Sequence, residues 1–328
     1  MEPSPSPIIT NSGKLTEEIY HIDIQAYAVK KLISTFVLET PEAVAIIDTG
    51  TSDDVYRLMR FMKKLGISKE KIKYLVPSHY HFDHFGGGWR LWEMLKAENL
   101  AVKILTTKET HDRLQDPAVH MQHARRTFGE FVGEMRPLPE EAYEIVDPDT
   151  PLPIPGLEHG KSFRLVSTPG HTDDHCCPTL LEHDGHASFV FCAEAAGTLF
   201  NSTKLVTFGT SMPPEYSTTT YIKSLQKIID LKPETVGYCH FGAVKGKEAA
   251  MQVLKENLEF TTFFRDFVKR KFEEGGGVRH VVDDFLKEVA PSRTDKLPTD
   301  MLVNIIVALV YGQLVDLGLK EGWEIKGR

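Results

Sequence analysis

The segment Ser78-His79-Tyr80-His81-Phe82-Asp83-His84 places four groups able to bind a metal within six consecutive residues. In an extended loop His79 and His81 project to the same side, so both imidazoles can reach one ion. Asp83 and His84 follow directly and can reach a second. Imidazole nitrogen and carboxylate oxygen bind a zinc-like ion at roughly 2.0–2.2 Å. Two such ions about 3.5–4 Å apart activate water and stabilise a leaving oxygen. The chemistry this spacing points to is hydrolysis without a serine or cysteine nucleophile, with Asp83 placed to orient the attacking water or carry its proton. The plain alternative is a solvated polar loop. The tight spacing directly after the apolar run Ile72 to Val76 weighs against it.

A strand followed by H-x-H-x-D-H resembles the signature of the metallo-beta-lactamase superfamily, and more of the pattern follows in the family's order. Thr168-Pro169-Gly170-His171-Thr172 looks like the loop that gives the first metal its third histidine. Tyr238-Cys239-His240-Phe241-Gly242 looks like the loop that gives the second metal its last. Asp48, in Ile46-Ile47-Asp48-Thr49-Gly50, matches the early aspartate that holds a ligand histidine from behind, a role metal sites commonly need. One position departs. Where the family has F-x-G-D, with the aspartate bridging both metals, this chain has Phe191-Cys192-Ala193-Glu194. Glu194 is then either the bridge, its extra methylene absorbed by a local shift, or a bystander beside a weakened second site.

The resemblance covers residues 15 to 245. It implies an α/β fold, a four-layer αββα sandwich, here with a small helical C-terminal module. It also implies two divalent cations, zinc or else iron or manganese, held by His79, His81, His171, Asp83, His84, Glu194 and His240. Within the family the reading is a hydrolase of a small ester or thioester. A phosphodiesterase or endoribonuclease, a lactonase, an iron-dependent oxidoreductase and a non-catalytic member are the alternatives. A flavodiiron-type oxidoreductase needs a flavodoxin-like partner domain, for which the helical tail has no room. A persulfide dioxygenase needs one iron on fewer ligands than are present here.

The other histidines lack this context. His21, His111, His120, His123, His159, His183, His186 and His280 read as surface residues. His175, four residues after His171, either faces substrate or holds structure by hydrogen bonding. Cys176, Cys177, Cys192 and Cys239 show no disulfide-framework spacing. They read as small buried hydrophobes in a reduced, cytoplasmic setting.

The elements that must position these groups are legible in outline. Ile19 to Tyr27, Leu32 to Leu38, Ala43 to Ile47, Ile72 to Val76 and Val102 to Leu105 read as strands. Ser162 to Ser167, Cys176 to Leu181, Ser188 to Cys192 and Thr235 to Cys239 form a second set, the last closing the series. Thr51 or Ser52 is the expected cap of a helix whose apolar face is Val55, Leu58, Met59, Met62 and Leu65. Gly86-Gly87-Gly88 leads into another helix, Thr110 to Val132 is helical with a break at Pro117, and Pro214 to Leu231 is helical. Residues 136–155 are rich in proline and acid and read as a surface excursion.

Strand signal vanishes after Lys247, where Met251 to Phe272, Val278 to Val289 and Thr299 to Leu319 are helical by period. This places a catalytic domain at residues 1–248 and a helical module at 249–328, or else helices that pack on the main domain as a lid. Val303, Ile306, Leu309 and Val310 belong to a helix apolar nearly all round, which fits a homodimer face or a buried core helix.

Charge narrows the partners. Thirty-eight basic against 46 acidic residues give a net charge of −8. That disfavours a generic nucleic-acid binder without excluding a phosphate-bearing substrate, since bound cations reverse the local sign. A small-molecule substrate is expected. No secretory signal is visible, and Leu302 to Tyr311 has roughly half the length a membrane-spanning helix needs.

Overall fold

The computed structural model describes residues 6–98, 101–295 and 299–321. Two seven-stranded sheets form the centre. The strands of the first are β2 (Gly13–Lys14), β3 (Ile19–Asp23), β4 (Ser34–Glu39), β5 (Val44–Ile47), β6 (Ile72–Val76), β7 (Lys103–Thr106) and β8 (Tyr143–Ile145), adjacent in that order. The second contains β1 (Ile8–Ile9), β9 (Pro151–Leu152), β10 (Ser162–Ser167), β11 (Cys176–Leu181), β12 (Ala187–Ala193), β13 (Thr235–Tyr238) and β14 (Gly242–Lys245). Their order is β1-β14-β13-β12-β11-β10-β9. Pairings are antiparallel except β5–β6, β6–β7 and β7–β8 in one sheet and β12–β13 in the other.

Period-two alternation sorts side chains between the layers. On β12, Phe189 and Phe191 turn inward and meet Phe36 of β4 at ring separations of 5.3 and 5.1 Å. Val190 and Cys192 turn outward, against α6 (Thr218–Asp230) and α7 (Lys247–Glu273). Gly237 of β13 has a specific reason to be glycine, because a Cβ there would sit 2.8 Å from the Phe36 ring. On the far side, α1 (Val55–Lys64), α3 (Gly88–Ala97) and α4 (Lys108–Gln115) cover the first sheet. α2 (Phe82–Phe85) is a single turn within the histidine loop, and α5 (Ala118–Phe128) follows the break at Pro117. The architecture is the expected αββα sandwich.

Several local expectations needed correction. β3 ends at Asp23 because Gln25, Tyr27 and Ala28 take left-handed backbone conformations. Asp54, not Thr51 or Ser52, occupies the cap position of α1, and its carboxylate accepts from the Thr51 amide and hydroxyl at 3.2 and 2.8 Å. α6 starts at Thr218, where the Ser217 side chain caps it, rather than at Pro214. β13 is not the last strand, since Gly242–Lys245 returns beside it as β14. Residues 136–155 contribute an edge strand to each sheet, through β8 and β9.

The C-terminal helices α7, α8 (Gly277–Glu288) and α9 (Thr299–Asp316) share an apolar cluster with the sandwich, through Phe260, Phe264, Phe285 and Leu309. Ile306, Leu309 and Val310 of α9 are buried inside this one chain. Among the described residues no helix is long and apolar enough to cross a membrane.

Candidate metal centre

β5 and β6 run parallel, so the residues following each strand meet at the same edge of the sheet. Asp48 leaves β5 in a left-handed conformation, which aspartate tolerates. Its Oδ1 accepts the Ser78 amide at 2.7 Å, and its Oδ2 accepts the Ser78 hydroxyl at 2.7 Å and His84 Nδ1 at 3.0 Å. A carboxylate only accepts here, so Nδ1 of His84 carries a proton and Nε2 is turned toward the site. With its own proton committed to Asp48, the Ser78 hydroxyl accepts from His79 Nδ1 at 3.1 Å. That fixes His79 in the same tautomer. The carbonyls of Thr210 and Leu32 fix His171 and His240 likewise, accepting from Nδ1 at 2.7 and 3.1 Å.

Glu194 enters from the other sheet. Ala193 ends β12 with φ 46°, and the turn sets Glu194 between the two groups of histidines. Its Oε2 lies 2.5 Å from His171 Nε2, 3.5 Å from His84 Nε2 and 3.8 Å from His79 Nε2. His175 stands behind it. Its Nε2 accepts the Glu194 amide at 3.4 Å while Nδ1 donates to the Thr168 hydroxyl at 2.9 Å. His175 therefore braces the backbone that carries Glu194. Gly170 lets the His171 loop press against the start of α6, where a Cβ would lie 2.5 Å from the Tyr221 backbone.

The donors fall into two groups. Single ligand atoms of His79, His81, His171 and Glu194 all lie within 4.8 Å of one another, and so do those of His84, Cys239 and His240. Asp83 Oδ2 is 3.3 Å from His240 Nε2, in the second group. The fold thus brings together all seven side chains expected as ligands, with Asp48 behind His84.

The chemistry of this set fits divalent cations. His79 Nε2 and His84 Nε2 are fully buried and have no hydrogen-bond partner among the described residues, a state that costs roughly 1–3 kcal/mol unless something accepts the lone pair. Burial, reinforced by the neighbouring imidazoles, holds His79 and His81 well below the usual histidine pKa, so both are neutral and able to ligate. Burial alone would push Glu194 upward, but His171 and His84 hold it well below the carboxylate range. It is a buried anion ringed by imidazole nitrogens, a donor set of the kind that holds divalent cations.

Four residues carry more than the sequence disclosed. Cys239 is buried like an apolar residue, as expected, but it also borders the second donor group. Its position next to His240 was the available signal. His120 is not a surface residue: its ring stacks on His81 at 4.9 Å and 5°, and its Nε2 accepts the Phe82 amide at 3.1 Å. His21 and His111 are also buried. His21 lies between β3 and β4, with Nε2 2.8 Å from the Ser34 hydroxyl, and His111 packs edge-on against Tyr143 at 4.7 Å. Each stands on an amphipathic element whose buried face a single sequence does not reveal for a polar residue.

A cavity of about 660 Å³ opens over the donors, with His81, Asp83, Glu194 and His240 on its floor. Its walls come from the Tyr27 to Ile33 segment, α5, the Met212 to Glu215 turn and α9. Residues 30–240 match the Metallo-beta-lactamase superfamily. The chain belongs to that superfamily. A metallo-beta-lactamase fold-containing protein of Sulfurisphaera tokodaii is 27% identical over 237 residues, 70% of this chain and 78% of its own length. An N-acyl homoserine lactonase of Bacillus thuringiensis is 22% identical over 228 residues, 62% of this chain and 79% of its own. Among solved structures, an archaeal metallo-beta-lactamase superfamily protein from Sulfolobus tokodaii superposes with TM-score 0.62 at 20% identity, covering 91% of this chain and 99% of that one. The superfamily match ends at His240, so α9, which completes the cavity, lies outside it.

Proposed function

We propose that this protein is a dinuclear metal-dependent hydrolase that cleaves a carboxylic ester or thioester, lactones included. The observation that carries this reading is Glu194 Oε2 set between His171, His84 and His79, whose Nε2 atoms all face it. His79, His81 and His171 would hold one cation, Asp83, His84 and His240 the other, with Glu194 shared between them. When bound, two divalent cations supply a shared water of near-neutral pKa and polarise the carbonyl oxygen under attack. Zinc suits the nitrogen and oxygen donors, with iron or manganese as alternatives.

The chain's own residues then act as follows. Asp48, Ser78, Thr210 and Leu32 hold four imidazoles in one tautomer, so their lone pairs need no reorganisation as charge develops. Asp83 lies on the cavity floor and is positioned to take the proton of the attacking water and return it to the leaving oxygen or sulfur. The apolar walls exclude water from the acyl carbon. Similarity to a lactonase supports ester-type carbonyl chemistry, while carboxylates on the cavity wall speak against a polyanionic phosphodiester.

The test is metal analysis of the purified protein beside a hydrolysis panel of thioester, open ester, lactone, phosphodiester and β-lactam. Two metals per chain with ester or thioester turnover is the expected result. Turnover of the phosphodiester alone, or undiminished ester turnover in strong chelator with no metal bound, would overturn the reading.

A further inference from the structure

Apart from the donors on its floor, the cavity divides into an apolar majority and a small polar set whose charges are mostly negative. Leu32, Phe128, Phe200, Met212, Ile305 and Leu309 represent the first. Among the described residues the charged wall groups are Asp116, Glu215, Asp300 and Arg113, with no lysine. Arg113 is already engaged, 2.8 Å from Glu215 and over the face of Tyr80 at 5.3 Å. No unpaired cation remains to receive a phosphate or a carboxylate, and an anionic leaving group would meet carboxylates. The volume, about 660 Å³, is that of a site for a drug-sized molecule, within the roughly 300–1,000 Å³ common for such pockets. An acetyl ester would leave most of this apolar wall in contact with water.

The rim is unusual in the same direction. Val119 and Phe131 line the cavity yet are 61% and 67% exposed, an apolar lip at its mouth. The opposite wall is α9, whose Met301, Ile305, Ala308 and Leu309 face the cavity. That helix lies beyond the residues matched to the superfamily.

We propose that the natural substrate is an uncharged oxygen ester or lactone bearing a medium to long alkyl acyl chain, with the chain lodged against α9 and the ester carbonyl over the metal-ligand floor. This rests on the hydrolase reading above and narrows it. The reaction breaks the acyl C–O bond. Water gives hydroxide to the acyl carbon and a proton to the departing alkoxide, so no oxidant or co-reactant is needed. Polyanionic thioesters and nucleic acids are disfavoured by the acidic wall.

The test uses the full metal-loaded chain with ester substrates from acetyl to decanoyl, each below its micellar concentration. kcat/KM rises about fourfold per methylene, the transfer free energy of one buried CH₂, or roughly 4,000-fold over the six methylenes from acetyl to octanoyl. Met301→Trp, at a half-buried position on the cavity face of α9, flattens the rise. Ile305→Ala shifts the optimum to longer chains. Because the wild-type series stands alone, a poorly folded variant does not decide the matter. Equal kcat/KM for acetyl and decanoyl esters overturns this inference and leaves the hydrolase reading intact. Turnover of thioesters but of no oxygen ester or lactone overturns this inference alone, whereas a negative result for every ester, lactone and thioester, with turnover of the phosphodiester or β-lactam, overturns both.

Discussion

Asp48 and His84 are joined by a 3.0 Å hydrogen bond from the histidine Nδ1 to the carboxylate, formed between the residue that follows β5 and a residue of α2 in the loop after the parallel strand β6. The same carboxylate takes both donors of Ser78, through which it also fixes His79. One buried aspartate thus sets a histidine of each donor group. Asp48→Ala is expected to lower metal affinity and ester turnover by about 10–100-fold, the usual cost of losing such a partner. Metal titration followed by calorimetry would check it, and unchanged affinity would show that the tautomers are set without Asp48.

Glu194→Gln keeps the shape of the side chain and removes its charge. With Oε2 close to histidines of both groups, the variant should retain one metal tightly and release the second on dialysis. A variant that still holds two ions after dialysis would make Glu194 a bystander.

A separate effect concerns pH. Asp174 is buried, accepting from the Tyr80 amide at 3.0 Å and the Thr172 hydroxyl at 2.7 Å. Burial raises its carboxyl from 3.8 to about 6. The native state therefore holds this proton more tightly than the unfolded chain does, and the stability linked to it is present below 3.8 and lost as pH rises toward 6. The loss amounts to at most about 3 kcal/mol. Relative to Asp174→Asn, the wild-type protein should gain stability as pH falls from 7 to 5, read by denaturant melts of both proteins. A difference that stays constant over that range would remove the argument.

Phe36→Ala tests the contact between the sheets. The ring meets Phe189, Phe191 and His21 within 5.1–5.3 Å and is wholly buried. Removing it should cost about 3–5 kcal/mol in unfolding free energy. Gly237→Ala, which aims a methyl at the same ring, should also destabilise, and combining it with Phe36→Leu should cost less than the sum of the single changes.

The strongest local signals sat where spacing along the chain is itself the constraint. His79 through His84 follow a buried strand at once, and a short loop leaves their side chains few places to go. The helix break at Pro117 and the strand set around β4, β5, β6, β10, β11 and β12 rest on equally local rules of dihedral restriction and apolar period. The missed strand β14 and the edge strands β8 and β9 are two to four residues long. Runs that short carry no periodicity, and pairing partners far along the chain decide them.

Residue type and spacing alone determined that His79, His81, Asp83 and His84 form a segment able to hold metal, and the family resemblance added His171, Glu194 and His240 to that set. Tertiary structure decided what surrounds them. The turn at Ala193 put Glu194 between two histidine groups. Sheet pairing brought Cys239 beside His84, and α5 laid His120 on His81. The return of α9 across the mouth made a C-terminal helix the wall of the cavity. Each depends on contacts between segments tens to hundreds of residues apart, where local propensity has no influence and the burial of shared apolar surface sets the arrangement.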